Sequence, residues 1–121
     1  MIVIDTSIWI DHLRGLDTQL ESILGSGDEL LHPYVHGELL LNGLPEDGIF
    51  ARKLSSLKTA PVAATADVAA FISWAKLAGT GVGYIDTHLL VSARMVRDGV
   101  LLTKDNALRA QAERLGVAYS P

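Results

Sequence analysis

The sequence predicts an α/β fold in one domain over residues 1–121, with a central parallel sheet of about four to five short strands flanked by about seven helices. Three observations carry this. Ile2-Val3-Ile4 and Val100-Leu101-Leu102 are continuous apolar runs, which suit strands buried on both faces rather than half-buried ones. Stretches with helical spacing of apolar residues separate the short runs, as helices do in a parallel sheet. Glycine, proline and capping residues punctuate nearly every junction.

After the first strand, Thr6 or Ser7 is placed to cap a helix over Ile8–Leu13, which Gly15 ends. Asp17-Thr18 can cap a second helix with a Leu20, Ile23, Leu24 stripe, closed by Gly25-Ser26-Gly27. Leu30-Leu31-His32 is a second strand. Pro33 suits the first turn of a third helix reaching Asn42, with Gly43 at its end. A fourth helix follows over Ile49–Leu57, then an extended stretch over residues 60–65 in which Pro61 forbids a helix. Thr65 caps a fifth helix over Ala66–Leu77. The loop Gly79-Thr80-Gly81-Val82-Gly83 leads to a sixth, from Tyr84 or Ile85 to about Arg97, ended by Asp98-Gly99. Beyond the strand Val100–Thr103, Asn106–Leu115 is a seventh helix, and Val117-Ala118-Tyr119 a last strand.

Composition narrows the function. With 49% hydrophobic and 20% charged residues the chain is neither disordered nor short of core. No cysteine is present, which removes disulfides and thiolate metal sites. The apolar start is too short for a signal core or a membrane span, so a cytoplasmic protein with no membrane association is expected. Fourteen acidic residues against ten basic ones, net −4, argue against broad counterion-release binding of nucleic acid. They leave room for phosphate contact made through metal ions held by clustered acids.

Four acids resist an ordinary explanation. Asp5 and Asp105 each follow an apolar strand, so a parallel sheet puts both at its carboxyl edge, where ligands bind in α/β folds. For either one alone, capping the next helix accounts for it equally well. Glu38 shares a helix face with Val35, Leu39 and Asn42, and a carboxylate beside a core needs a cation or an arginine such as Arg94. Asp86 lies in a first helical turn, on a face with Leu89, Leu90 and Ala93. Together they make an oxygen-only ligand set for Mg²⁺ or Mn²⁺, the equipment of phosphodiester hydrolysis. Thr6, Ser7 and Thr103 supply hydroxyls near the same edge, able to orient carboxylates or water.

Other candidates are weaker. His12, His32, His36 and His88 show no metal-ligand spacing and suit structural or surface positions. Neither a nucleophile elbow nor a phosphate-binding glycine loop is present. Lys104 and Arg14 are the cations best placed for nucleic-acid phosphates.

Ile4-Asp5-Thr6-Ser7-Ile8-Trp9-Ile10-Asp11, Gly37-Glu38-Leu39, Gly81-Val82-Gly83-Tyr84-Ile85-Asp86-Thr87-His88-Leu89-Leu90 and Leu102-Thr103-Lys104-Asp105 resemble, in this order, the PIN-domain ribonuclease toxins of the VapC type. The resemblance runs from Ile2 to Tyr119. It implies a PIN fold and a Mg²⁺- or Mn²⁺-dependent endoribonuclease, the toxin of a type II toxin–antitoxin module. Carried over, the acidic site is Asp5, Glu38, Asp86 and Asp105, with Thr6 or Ser7 and Thr103 supporting it. It also implies a small VapB-like antitoxin, whose tail would bring an arginine or lysine to the acids, and a homodimer, extending to a heterotetramer or larger with antitoxin. Trp9, Leu13, Leu20 and Leu24 are candidates for the antitoxin groove and equally for the core. Such toxins commonly carry an arginine where Lys104 or Thr80 stands here; lysine keeps the charge and loses the bidentate fork. The expected reaction is attack of water, not of the RNA 2′-hydroxyl, leaving 5′-phosphate and 3′-hydroxyl ends. The alternative is a catalytically silent PIN-like module that binds RNA or a partner.

Overall fold

A computed structural model describes residues 1–16 and 19–120, with Gln19 described by its backbone only. The cap expected at Asp17-Thr18 lies outside the described residues. Four strands, β1 (Ile2–Ile4), β2 (Glu29–Leu31), β3 (Lys58–Thr59) and β4 (Val100–Leu102), form one parallel sheet in the order β3-β2-β1-β4. Among the described residues seven helices surround it: α1 (Thr6–Leu13), α2 (Gln19–Ile23), α3 (Pro33–Leu41), α4 (Ile49–Ser56), α5 (Thr65–Trp74), α6 (Tyr84–Met95) and α7 (Asn106–Arg114).

β1 is central, and all three of its residues are buried, as its unbroken apolar run requires. β3 differs from expectation. Pairing occurs at Lys58 and Thr59, both exposed, before the stretch expected to be extended. The amide of Ala60 still donates to the Leu31 carbonyl, at 2.9 Å, and Pro61 then has no N–H with which to continue the ladder. The last expected strand shrinks to a single bridge between Leu101 and Ala118.

Helix starts depart from expectation in an informative way. Asp5, rather than Thr6 or Ser7, caps α1: its Oδ1 accepts the Thr6 amide at 2.7 Å and the helix begins two residues early. Thr65 lies inside α5, with Ala64 at the cap position and no side-chain capping bond. α6 stops at Met95, short of Arg97: Val96 is already extended (φ −100°, ψ 135°), Asp98 is left-handed (φ 55°), and Gly99 doubles back. A Cβ on Gly99 would lie 2.2 Å from the Ala93 carbonyl oxygen, so only glycine fits this close return into β4.

The core lies between sheet and helices, with Val3, Ile4, Trp9, Leu20, Leu39, Leu54, Leu89, Leu90, Leu101 and Leu108 almost wholly buried. Trp9, 1% exposed, packs edge-on against Phe50 of α4 at 6.0 Å between ring centroids. Burying such a side chain is worth about 2 to 3 kcal/mol. Trp9 and Leu20 therefore leave the set of groove residues, while Leu13 remains 43% exposed. No helix among the described residues is long and apolar enough to cross a membrane.

The topology fixes where chemistry can occur. α1, α3 and α7 each begin at the carboxyl end of a strand, and α6 runs back toward β4 and so starts at the same edge. Four helix N-termini, each with a partial positive charge, meet along one sheet edge.

Candidate active site

Both Asp5 and Asp105 are helix caps, and this does not remove them from a site. Asp105 Oδ1 accepts the Leu108 amide at 2.9 Å and caps α7. Thr103 ties the two together: its hydroxyl donates to Asp5 Oδ2 at 2.7 Å and accepts the Asp105 amide at 3.0 Å. Capping fixes the carboxylates in orientation and leaves lone pairs directed at the crevice.

Glu38 is held from α1, where the Thr6 hydroxyl donates to its Oε1 at 2.7 Å. The alternative partner, Arg94, is elsewhere: its guanidinium lies 5.0 Å from the Trp74 ring centroid and 5.6 Å from that of Phe71. Asp86, in the first turn of α6, receives no hydrogen bond among the described residues. A Cβ at Gly83 would make only ordinary contact with Asp86 Oδ2, at 3.9 Å.

Asp5, Thr6, Ser7, Glu38, Asp86, Lys104 and Asp105 thus line one open crevice of about 440 Å³ with Ile10 at its margin. The four sequence-selected acids are brought together from four elements. Their fields overlap. Asp86 is pushed up to about 6, first by burial and then by the negative charges of Asp5, Asp105 and Glu38. Burial likewise raises Asp5, opposed by its hydrogen bonds from Thr103 and the Thr6 amide and reinforced by Glu38 and Asp105.

Of the supporting residues, Thr6 and Thr103 orient carboxylates directly. Ser7 Oγ is buried without a hydrogen-bond partner among the described residues. Lys104 reaches the crevice, but its ammonium is paired with Asp11 of α1. That pairing, across 93 residues, has no local signal in the sequence. Arg14 does not line the acidic crevice. It lines a neighbouring one of about 260 Å³, with Leu13, Leu39, Asn42, Leu44 and Pro45, and the two share Ile10. His32 and His88 are buried structural residues.

Whether the crevice fits a divalent cation depends on the kind of site. Among the described residues, no three His, Asp or Glu side chains converge closely enough to enclose an ion unaided. A Mg²⁺ site does not need that. It is held by one or two carboxylates and keeps several waters, and Asp5 and Asp86, whose charged forms are disfavoured by burial and by neighbouring acids, would gain from such a counterion. The donor set fits such an ion.

Thr103→Val keeps the side chain's shape and removes both of its hydrogen bonds. A loss of about 1–2 kcal/mol is expected in urea unfolding, from one deleted bond and one stranded amide. The Asp5 carboxyl should also titrate higher still, because the bond that lowers it is gone. An Asp5 carbon resonance with an unchanged titration midpoint would show that Thr103 does not control this carboxylate.

The parallel sheet, its helical layers and the carboxylate crevice at the strand ends define the class: a PIN-like α/β domain. Ribonuclease VapC32 of Mycobacterium tuberculosis, in strains CDC 1551 and H37Rv alike, is 36% identical over 120 residues, covering 99% of this chain and 97% of the relative. The chain belongs to the VapC ribonuclease family. No family model matches it, and no solved structure matches it significantly.

Proposed function

We propose that the protein is the toxin of a type II toxin–antitoxin module and a Mg²⁺- or Mn²⁺-dependent endoribonuclease, acting on structured cellular RNA such as tRNA or rRNA loops. The observation that carries this is the convergence of Asp5, Glu38, Asp86 and Asp105 on one crevice at the strand ends. The kinship with a ribonuclease supports it.

Asp5 and Asp86 are the direct metal ligands in this reading, with Glu38 and Asp105 completing the cluster or positioning water. A divalent ion, when bound, lowers the pKa of the attacking water and neutralises charge on the phosphoryl group. The chain's own contribution is orientation. Thr103 and the Thr6 amide fix Asp5, the Thr6 hydroxyl fixes Glu38, and the start of α7 fixes Asp105. The helix N-termini at this edge favour the scissile phosphate's charge. Water attacks in line at phosphorus, and the 3′-oxygen leaves with a proton.

An active nuclease needs restraint, and a VapB-like antitoxin would supply it. The acidic crevice favours a cationic residue from the antitoxin tail. The adjoining crevice of Leu13, Leu39 and Leu44, reached across Ile10, offers apolar contact to the segment leading there. A cytoplasmic homodimer, assembled with antitoxin into a larger complex, completes the proposal.

The test is incubation of the purified chain with total RNA in Mg²⁺ or in EDTA, with the cut ends mapped. Cuts bearing 5′-phosphate and 3′-hydroxyl in Mg²⁺, absent in EDTA and for Asp5→Ala, are expected. Intact RNA in Mg²⁺ would favour the silent binding module instead, and cyclic phosphate ends would exclude attack by water.

A further inference from the structure

We propose that Tyr34 and Tyr84 form a stacking platform for an unpaired base of the RNA substrate, an inference that rests on the ribonuclease reading above. Tyr34 lies in the first turn of α3 and Tyr84 opens α6. Both rings pack on the imidazole of His88, with centroids 4.7 and 4.9 Å away and planes inclined at 67° and 81°. His32 braces Tyr34 as well, at 5.0 Å, and its Nδ1 accepts the Tyr34 amide at 3.0 Å. The two histidines are 0% and 2% exposed, whereas Tyr34 is 37% and Tyr84 51% exposed. The tyrosines are fixed on their inner side and open to solvent on the outer. A ring held this way loses little further freedom when a base stacks on it.

Position selects the occupant. Tyr34 precedes Glu38 by four residues, one turn away on the same face of α3 and about 6 Å along its axis. Tyr84 precedes Asp86 by two residues in the same helical turn. Both helices start at the edge that carries the carboxylates, so the tyrosines lie beside the crevice and are not part of its lining.

Charge supplies the need. A chain of net −4 whose crevice lysine is already paired with Asp11 gains little from phosphate contacts. Stacking on an aromatic face attracts every base and does not depend on charge. The platform supplies affinity where the electrostatics oppose it, and it favours unpaired over paired nucleotides because only those expose a free base face.

The test uses a fluorescent single-stranded RNA containing a site that the wild type cuts in total RNA. Tyr84→Leu should raise KM about tenfold with kcat within twofold, and Tyr84→Phe, which keeps the ring face, should behave as wild type. Replacing each nucleotide in turn by an abasic one should reveal one position that costs the wild type about tenfold and costs Tyr84→Leu nothing more. Tyr34→Leu should reproduce the pattern, a check independent of the start of α6. Equal cleavage by Tyr84→Leu and wild type overturns the platform, as does equal sensitivity of both to every abasic position. A change in sedimentation of the Tyr84→Leu protein with unaltered KM assigns the rings to a protein interface and overturns it too. A wild type that cuts no RNA overturns the ribonuclease reading itself, a failure distinct from the others.

Discussion

Asp86→Asn should lower Mg²⁺-dependent RNA cleavage about a hundredfold or more, and should make the metal-free protein more stable. The first effect follows from removing one charged oxygen ligand from a preorganised site, where single stabilising groups are worth about 10²–10³ in rate. The second follows from the sign of its titration. Asp86 is raised from 3.8 to about 6 by burial and by three neighbouring negative charges. Between these values the folded chain holds a proton that the unfolded chain has released. Stability therefore falls as pH rises through this window and stays at its lower level above pH 6. Asparagine carries no such charge. At pH 7.5 in EDTA the variant should gain about 1 kcal/mol in urea unfolding, a figure reduced from the full shift because solvent still reaches the group. By pH 4 the gain should have largely vanished. A residue that merely holds the fold together would lose activity and stability together, and that outcome would remove Asp86 from the proposed metal site.

The same carboxylates show how far a single sequence can be read. Asp5 and Asp105 were legible because each ends an apolar run, and a parallel sheet sends both to one edge. Glu38 and Asp86 were legible because acids are costly on helix faces shared with Leu39 or Leu89. Finer choices were not. Asp5, Thr6 and Ser7 are all good capping residues in consecutive positions, so local propensity could not say which one caps α1. The structure gives the cap to Asp5 and turns the Thr6 hydroxyl to Glu38, a partner 32 residues away. β3 was missed because Lys58 and Thr59 form an exposed edge strand, without the apolar run that marks a buried one. The apolar faces of α1 and α2 could not be divided between core and partner groove from spacing. Only packing against Phe50 and the sheet places Trp9 inside and leaves Leu13 out.

His32 carries a signal of the opposite kind. It precedes a proline, so its backbone is extended (ψ 133°), and it takes the N-cap position of α3 although histidine is not a usual capping residue. Its Nδ1 accepts the Tyr34 amide, so the neutral ring must carry its proton on Nε2. A second proton would have to go on Nδ1, displacing the cap in a fully buried site facing His88. Burial first, and His88 second, accordingly lower His32 from 6.5 to about 4. Between these values the unfolded chain binds a proton that the folded chain refuses, so stability falls as the pH drops through the window. The loss should reach about 2 kcal/mol by pH 5. His32→Asn keeps a capping oxygen and does not titrate. Its smaller side chain lowers stability at every pH, so the quantity to compare is the change between pH 7.5 and pH 5 in urea unfolding. The wild type should lose about 2 kcal/mol more over that interval than the variant does. Parallel losses would mean that His32 accepts its proton in place. The cap would then not be what holds the first turn of α3, and Tyr34 with it, at the edge of the carboxylate crevice.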